Sequence, residues 1–410
     1  MTISSHRLSI LFFVLFFISV ALHKANYLLA ILTGINLQAL VGVSLLILPT
    51  IFFLLSYSFT NKSNLIPVGG SPVVLFLFLY SHILAVVGLL SGNLASVVLN
   101  ECWAAWLIFL SYLLSRDTEK WHLFESKLHY LYYIFASLVV AGFFYPAEHL
   151  MELGIDHKVE GITTATVAYQ IAPILDFWPF LFLIKLFKSQ DMKSKLAAFI
   201  PLFIYLIIQV VFLKRAPTVR ALAFIGVATT LYFMSKGDRN FLIKIVVCFG
   251  VFGFLSVFTV PEALYARFMT LESVRQNESI AMFEQMSTLQ HIFGKGLGGY
   301  FFPAIDGVHR TGLSGQIITH IGIAYPYLKG GLVLTIVIIY IYFGAVIRGL
   351  FSLKRLTPEQ RAALCFLIVY GVFRLIEGPF STGMIFDGVL LGFSLGALSL
   401  PIRQSYSPQA

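Results

Sequence analysis

The sequence predicts an all-α, polytopic integral membrane protein of about twelve transmembrane helices, with one long external segment between the ninth and tenth spans. Three observations predict it. Hydrophobic residues make up 58% of the chain and charged residues only 11%, with a mean hydropathy of +0.87, and a soluble domain needs far more polar surface. Apolar runs of about 20 residues, the length that crosses a bilayer, recur from one end of the chain to the other. The long interruption, "TLESVRQNESIAMFEQMSTLQHIFGKGLGGYF" from Thr270 to Phe301, gathers acids, amides and basic residues ahead of a glycine cluster.

The runs fall near 8–22, 37–57, 72–90, 97–115, 128–146, 164–186, 195–213, 217–235, 242–260, 318–347, 362–377 and 382–401. The first follows His6 and Arg7, has no small-residue cleavage site and leads into further runs, so it reads as a retained helix. Lys and Arg of alternate loops set the orientation. Arg7, Lys62, the 116–127, 185–195 and 236–244 clusters, the 348–361 cluster and Arg403 share one side, the cytoplasm, together with both termini. That distribution accounts for the net charge of +9 without nucleic acid as a partner. The other side receives "EHLMELGIDHKVEG" (148–161), the "LKRAPTVR" turn (213–220) and the long 261–317 segment. The chain thus reads as a single polytopic domain, 1–410, with 261–317 as an external loop. Pro146, Pro173, Pro179 and Pro326 fall in or beside spans, where kinks are tolerated if neighbours satisfy the freed carbonyls. Cys102, Cys248 and Cys365 lie far apart in apolar runs, which argues against disulfide or zinc roles.

Basic residues that escape the cytoplasmic loops concentrate in a few places. Lys214, Arg215 and Arg220 crowd one external turn; Arg267, Arg275, Lys295 and Arg310 occupy the long segment; Lys329 follows in the next helix. Such a cluster suits a phosphate or diphosphate, gripped by bidentate guanidinium forks. It equally suits pairing with lipid head groups, or with Glu262, Glu272, Glu278 and Glu284. Within the long segment, Ile280, Phe283, Met286, Leu289 and His291 follow helical spacing, which predicts an amphipathic helix at the membrane interface. "GKGLGGYF" (294–301) ends it; Gly296 and Gly298, with Gly294 and Gly299, allow positive-φ turns or close approach of backbone N–H groups to a ligand. No strand precedes these glycines, which excludes a dinucleotide fingerprint.

His320 stands at the outer end of a long apolar run, near Tyr325 and Tyr327. An imidazole there can take a proton from an attacking hydroxyl, or simply sit satisfied at the interface. His149, His291 and His309 lack a comparable setting, and no metal-ligand spacing occurs. Glu101, Asp176, Arg374, Glu377 and Asp387 lie inside apolar runs, where charge is costly, so they face the bundle interior. They are also what a transporter needs.

From Lys214 to Leu332 the ordered set resembles the O-antigen ligase and O-antigen polymerase superfamily, membrane glycosyltransferases that use lipid-linked glycans at the periplasmic face. "KRAP" at Lys214–Pro217 resembles the family's basic turn. Arg275 stands nineteen residues before Gly294, as the family's arginine precedes its glycine-rich stretch. His320 precedes Gly330 and Gly331 in the manner of the family's His-Asn and glycine pair. Ile321 replaces the Asn, and the basic turn lacks its Ser. The resemblance implies an inverting transfer from a polyprenyl-diphosphate-linked glycan donor to a sugar hydroxyl, without metal, nucleotide or other cofactor. Arg215, Arg220 and Arg275 then bind the donor diphosphate and His320 is the catalytic base, with Arg267, Lys214, Gly296 and Gly298 in secondary roles. It also implies a bacterial inner membrane location, a glycan acceptor on a carrier lipid or on lipid A core, contact with membrane lipids, and a chain-length regulator as partner. Polymerase, ligase and, from another class, transporter or lipid flippase are the three readings that remain.

Overall fold

The computed structural model describes residues 5–24, most of 47–58, 72–115, parts of 130–140, 178–211 without 190, 215–237, 279–302, 322–376, 385–400 and three single residues between 240 and 250. Among the described residues 87% are helical and no strand occurs. The helices include α1 (Ser5–Lys24), α2 (Pro72–Leu90), α3 (Ala95–Leu114), α4 (Trp178–Lys188), α5 (Met192–Val211), α6 (Arg215–Lys236), α7 (Thr288–Phe293), α8 (Ala324–Phe351), α9 (Pro358–Ile376) and α10 (Ile385–Ser399). A 3₁₀ turn, Leu353–Arg355, precedes α9. Three of these, α2, α3 and α8, are long and apolar enough to cross a membrane. α2 coincides with the predicted 72–90 run, whereas α8 begins and ends a few residues later than the predicted 318–347. The predicted run at 242–260 lies outside the described residues, apart from single positions.

The chain forms two compact units. The first comprises Met1–Pro67 and Leu113–Phe212. Inside it, Ser9 on α1 and Ser56 exchange hydroxyl-to-carbonyl hydrogen bonds of 2.9 Å in both directions, and Phe12 stacks on Phe52. Small hydroxyl residues join apolar helices in this way because lipid supplies no competing hydrogen bonds. α4 and α5 form a hairpin, in which Asp191 caps α5 by accepting the Ser194 N–H at 2.8 Å. Tyr132 donates to the Pro201 carbonyl inside α5 at 2.9 Å.

The second unit comprises Val68–Tyr112 and Leu213–Ala410. It joins the α2–α3 hairpin to helices that follow it by more than a hundred residues. The hairpin closes through Ser91–Leu94, with Gly92 at positive φ. Across it, Phe78, His82, Trp106 and Phe109 form an aromatic cluster. Trp106 Nε1 donates to His82 Nε2 at 3.0 Å, so the imidazole carries its proton on Nδ1 and donates it to the Phe78 carbonyl. α8, α9 and α10 pack side by side, with Gly371 leaving room for the Tyr342 ring and Gly349 for Leu364. α6 meets α9 through Phe224, Phe366 and Tyr370.

Prolines mark helix starts here more than kinks. Pro179, Pro217 and Pro326 each stand in the first turn of their helix, where no intrahelical N–H is required. Pro146 and Pro173 lie outside the described residues. The break in α8 comes instead at Gly330 and Gly331, whose φ values of −128° and 60° leave the helical region.

Candidate functional site

The polar segment folds onto the start of α8. Residues 279–284 are helical, α7 follows, and 285–287 separate the two. The predicted continuous amphipathic helix is therefore broken, because Ser287 makes a capping box with Gln290 and restarts the helix at Thr288. Ala281, Met282 and Met286 turn inward, and Met282, Met286 and Phe301 pack on Ala324 and Leu328 of α8. Gln285 pins both ends of the segment together: its side-chain amide donates to the Phe302 carbonyl at 2.7 Å and accepts the Phe302 N–H at 2.9 Å. Ile280, Phe283, Leu289, Ile292, Phe293, Tyr300 and Phe302 stay exposed, an apolar fringe suited to the bilayer interface.

The glycine turn, 294–299, then meets all three membrane-length helices. Its successive backbone N–H groups each find an acceptor. Lys295 N donates to Leu328 O at 2.8 Å, Gly296 N to Lys329 O at 3.0 Å, and Leu297 N to Leu84 O at 2.9 Å. Gly298 N donates to the Glu101 carboxylate at 2.5 Å, and Gly299 N to Gly296 O at 3.1 Å. From the hairpin loop, Asn93 Nδ2 reaches the Leu297 carbonyl at 2.8 Å. Only glycine fits here. At Gly294 and Gly296 the positive φ excludes a side chain, and an added Cβ would land on the Lys329 carbonyl or on the Gly88 backbone.

Behind the turn lies a buried ion pair. Lys329 Nζ stands 2.8 Å from Glu101 Oε1, with the two side chains 1% and 6% exposed. Lys329 also donates to the Gly299 carbonyl at 2.6 Å and lies 5.2 Å from the Tyr325 ring centre. Tyr80 Oη reaches the Gly330 carbonyl at 3.4 Å, where α8 has lost its regular bonding. A pair removed from water this completely is tolerated only when its polar atoms find partners, and here both carboxylate oxygens and the ammonium do. At the edge, His291 Nδ1 and Tyr327 Oη are 3.0 Å apart, with Phe283 beside both.

The residues expected to carry chemistry distribute unevenly over this picture. His320, Arg275, Arg267 and Lys214 lie outside the described residues. Arg215 and Arg220 belong to the first turns of α6. Gly296 and Gly298 are in the turn, with their N–H groups spent on the protein's own acceptors. Lys295 and Lys329, expected among the outer cations, both turn to backbone carbonyls, Lys295 to Tyr300 at 3.1 Å. Partial burial pushes the Lys295 ammonium below the usual lysine range. Glu101 faces the interior as expected, and its partner is Lys329. Among the other interior charges, Asp176 and Glu377 lie outside the described residues, while Arg374 and Asp387 stand in α9 and α10. The pairing had a sequence signal: each residue sits in the outer half of an apolar run, 97–115 and 318–347, at ends that span counting assigns to one side. No group of three or more His, Cys, Asp or Glu able to hold a metal occurs among the described residues.

No family model matches this chain, and no curated protein matches it.

Proposed function

We propose that this protein is a membrane glycosyltransferase that polymerises lipid-linked surface-polysaccharide repeat units at the outer face of a bacterial inner membrane. The single observation that carries the reading is the docking of the glycine turn on Leu328 and Lys329 of α8, the helix that follows His320. Two parts of the ordered series, the glycine stretch after Arg275 and the helix after His320, thereby become neighbours although thirty residues separate them in sequence.

In this reading Arg215, Arg220 and Arg275 grip the donor diphosphate and offset the charge that builds on it as the sugar C1–O bond breaks. His320 takes the proton of the acceptor hydroxyl, whose oxygen forms the new bond to C1 with inversion. The electron pair of the broken bond leaves on the polyprenyl diphosphate. The apolar fringe of the 279–302 segment rests on the interface beside the carrier lipid. Ligation of finished polymer to lipid A core uses the same donor chemistry and differs in the acceptor. A transport reading draws on a different observation, the break in α8 beside a buried ion pair, since discontinuous membrane helices often build transport sites.

The test is the lipopolysaccharide ladder of a deletion strain complemented with wild type or with His320→Ala. The transferase reading expects no rescue while the protein stays in the membrane. A core bearing one repeat unit identifies lost polymerisation, and a bare core with polymer left on its carrier identifies lost ligation. Full rescue by His320→Ala overturns the catalytic role and returns the transport reading.

A further inference from the structure

We infer that Glu101 and Lys329 are positioning residues that hold the glycine turn against α8 through a polarity-matched staple. The inference rests on the transferase reading for its activity readout alone. An ion pair that only neutralised two charges would need nothing from the turn. This pair touches it twice, and with opposite chemistry. Glu101 Oε2 accepts the lone N–H of Gly298, and Lys329 Nζ donates to the carbonyl of the next residue, Gly299. The two side chains come from α3 and α8, so the turn is clamped from both sides. The helix that must receive it is opened at Gly330–Gly331, where an added Cβ on Gly331 would strike the Ile292 backbone. Turn, break and ion pair therefore form one interlock. It fixes where the 279–302 segment ends and where α8 begins, and those are the two pieces of chain that lead to Arg275 and His320.

The matched polarity gives a test that separates a staple from simple neutralisation. Exchanging the charges, Glu101→Lys with Lys329→Glu, preserves the ion pair. It nevertheless points an ammonium at the Gly298 N–H and a carboxylate at the Gly299 carbonyl. The full-length protein, with Cys102, Cys248 and Cys365 replaced by alanine, carries Leu297→Cys as a reporter, because Leu297 is only 5% exposed in the turn. In native membranes, a membrane-impermeant maleimide is expected to label this cysteine slowly in the parent. Labelling is expected roughly tenfold faster in Lys329→Met and in the exchanged pair, through local opening of the turn. Protection of the exchanged pair equal to the parent overturns the staple. The charge-conserving Glu101→Asp keeps the carboxylate and is one methylene short of Gly298; its labelling is expected between the two, and a parental rate also overturns the proposal.

Activity supplies the second readout. With purified lipid-linked donor, kcat/KM of the exchanged pair is expected to fall on the order of 100-fold, the size of loss that misplacing a reacting group by about 1 Å can cause. Glu101→Asp recovers most of it. If the parent itself transfers no glycan, the transferase reading fails while the labelling series still decides the staple. If the parent is active and the exchanged pair matches it, the positioning role fails alone.

Discussion

The two ends of the second unit are tied by the same device in two chemical forms. At one end a charged pair, Glu101 and Lys329, binds an N–H and a carbonyl of the glycine turn. At the other, a neutral amide does the work. Gln360, wholly buried, donates to the Ala397 and Leu400 carbonyls at 3.2 and 3.1 Å. It also forms a capping box with Thr357 at the start of α9. The difference follows from what each end leaves unpaired. A helix C-terminus such as that of α10 presents carbonyls only, so one amide NH₂ serves. The turn presents one group of each polarity side by side, which calls for an acceptor and a donor from separate helices. Charge supplies both strongly, and it carries the risk that losing either partner strands the other in an apolar interior.

Breaking the charged end is expected to have the largest effect. Lys329→Met leaves the Glu101 carboxylate buried without its counter-ion and should lower stability by about 3–5 kcal/mol, read from denaturant unfolding in detergent. The double variant Glu101→Leu with Lys329→Met should lose clearly less than the two single losses added together, since their coupling is direct. Additive losses would show that the pair is not a unit. Next in size is Gly331→Ala, which combines positive φ with a backbone collision and is expected to cost about 2–3 kcal/mol. A neutral result there would mean that the turn and α8 can separate cheaply.

The neutral end should give way more gently. Gln360→Ala orphans two carbonyls and the Thr357 cap, for an expected loss of about 1–3 kcal/mol; a loss as large as that of Lys329→Met would show that the neutral and charged ends are equally strong. Ser287→Ala removes a capping box of the same sequence type on an exposed segment and is expected to cost about 1 kcal/mol. Smallest of all is the pH response of Lys295. Its folded pKa lies below its unfolded one, so the folded state disfavours the charged form. The penalty is fully present below that window, and stability rises as pH climbs from the depressed pKa toward the ordinary lysine range. Lys295→Met should flatten this alkaline rise in thermal unfolding, and an unchanged slope would assign it to another group.

Much of this could be read from residues alone. The 72–90 helix coincides with its predicted run because nineteen residues, mostly apolar and without Asp, Glu, Lys or Arg, keep their backbone groups paired within one helix. The end of the polar segment was legible in its glycines, since backbone at positive φ favours residues without Cβ. The capping box that breaks 279–293 into two helices was also written locally, as Ser-x-x-Gln, but helical spacing of the apolar residues masked it.

The sequence by itself determined that the chain is helical, that it is apolar enough for membranes, and which segment stands out as polar. Those properties depend on composition and on spacing within a few turns. Only the tertiary structure decided that Glu101 pairs with Lys329, that the N–H groups of the glycine turn serve α2, α3 and α8, and that Gln360 binds a helix end some forty residues away. Such partners are separated by tens to hundreds of residues, and any buried charge or amide in the chain has several conceivable mates. Packing selects among them, because an unsatisfied polar group away from water costs more than any local preference can return.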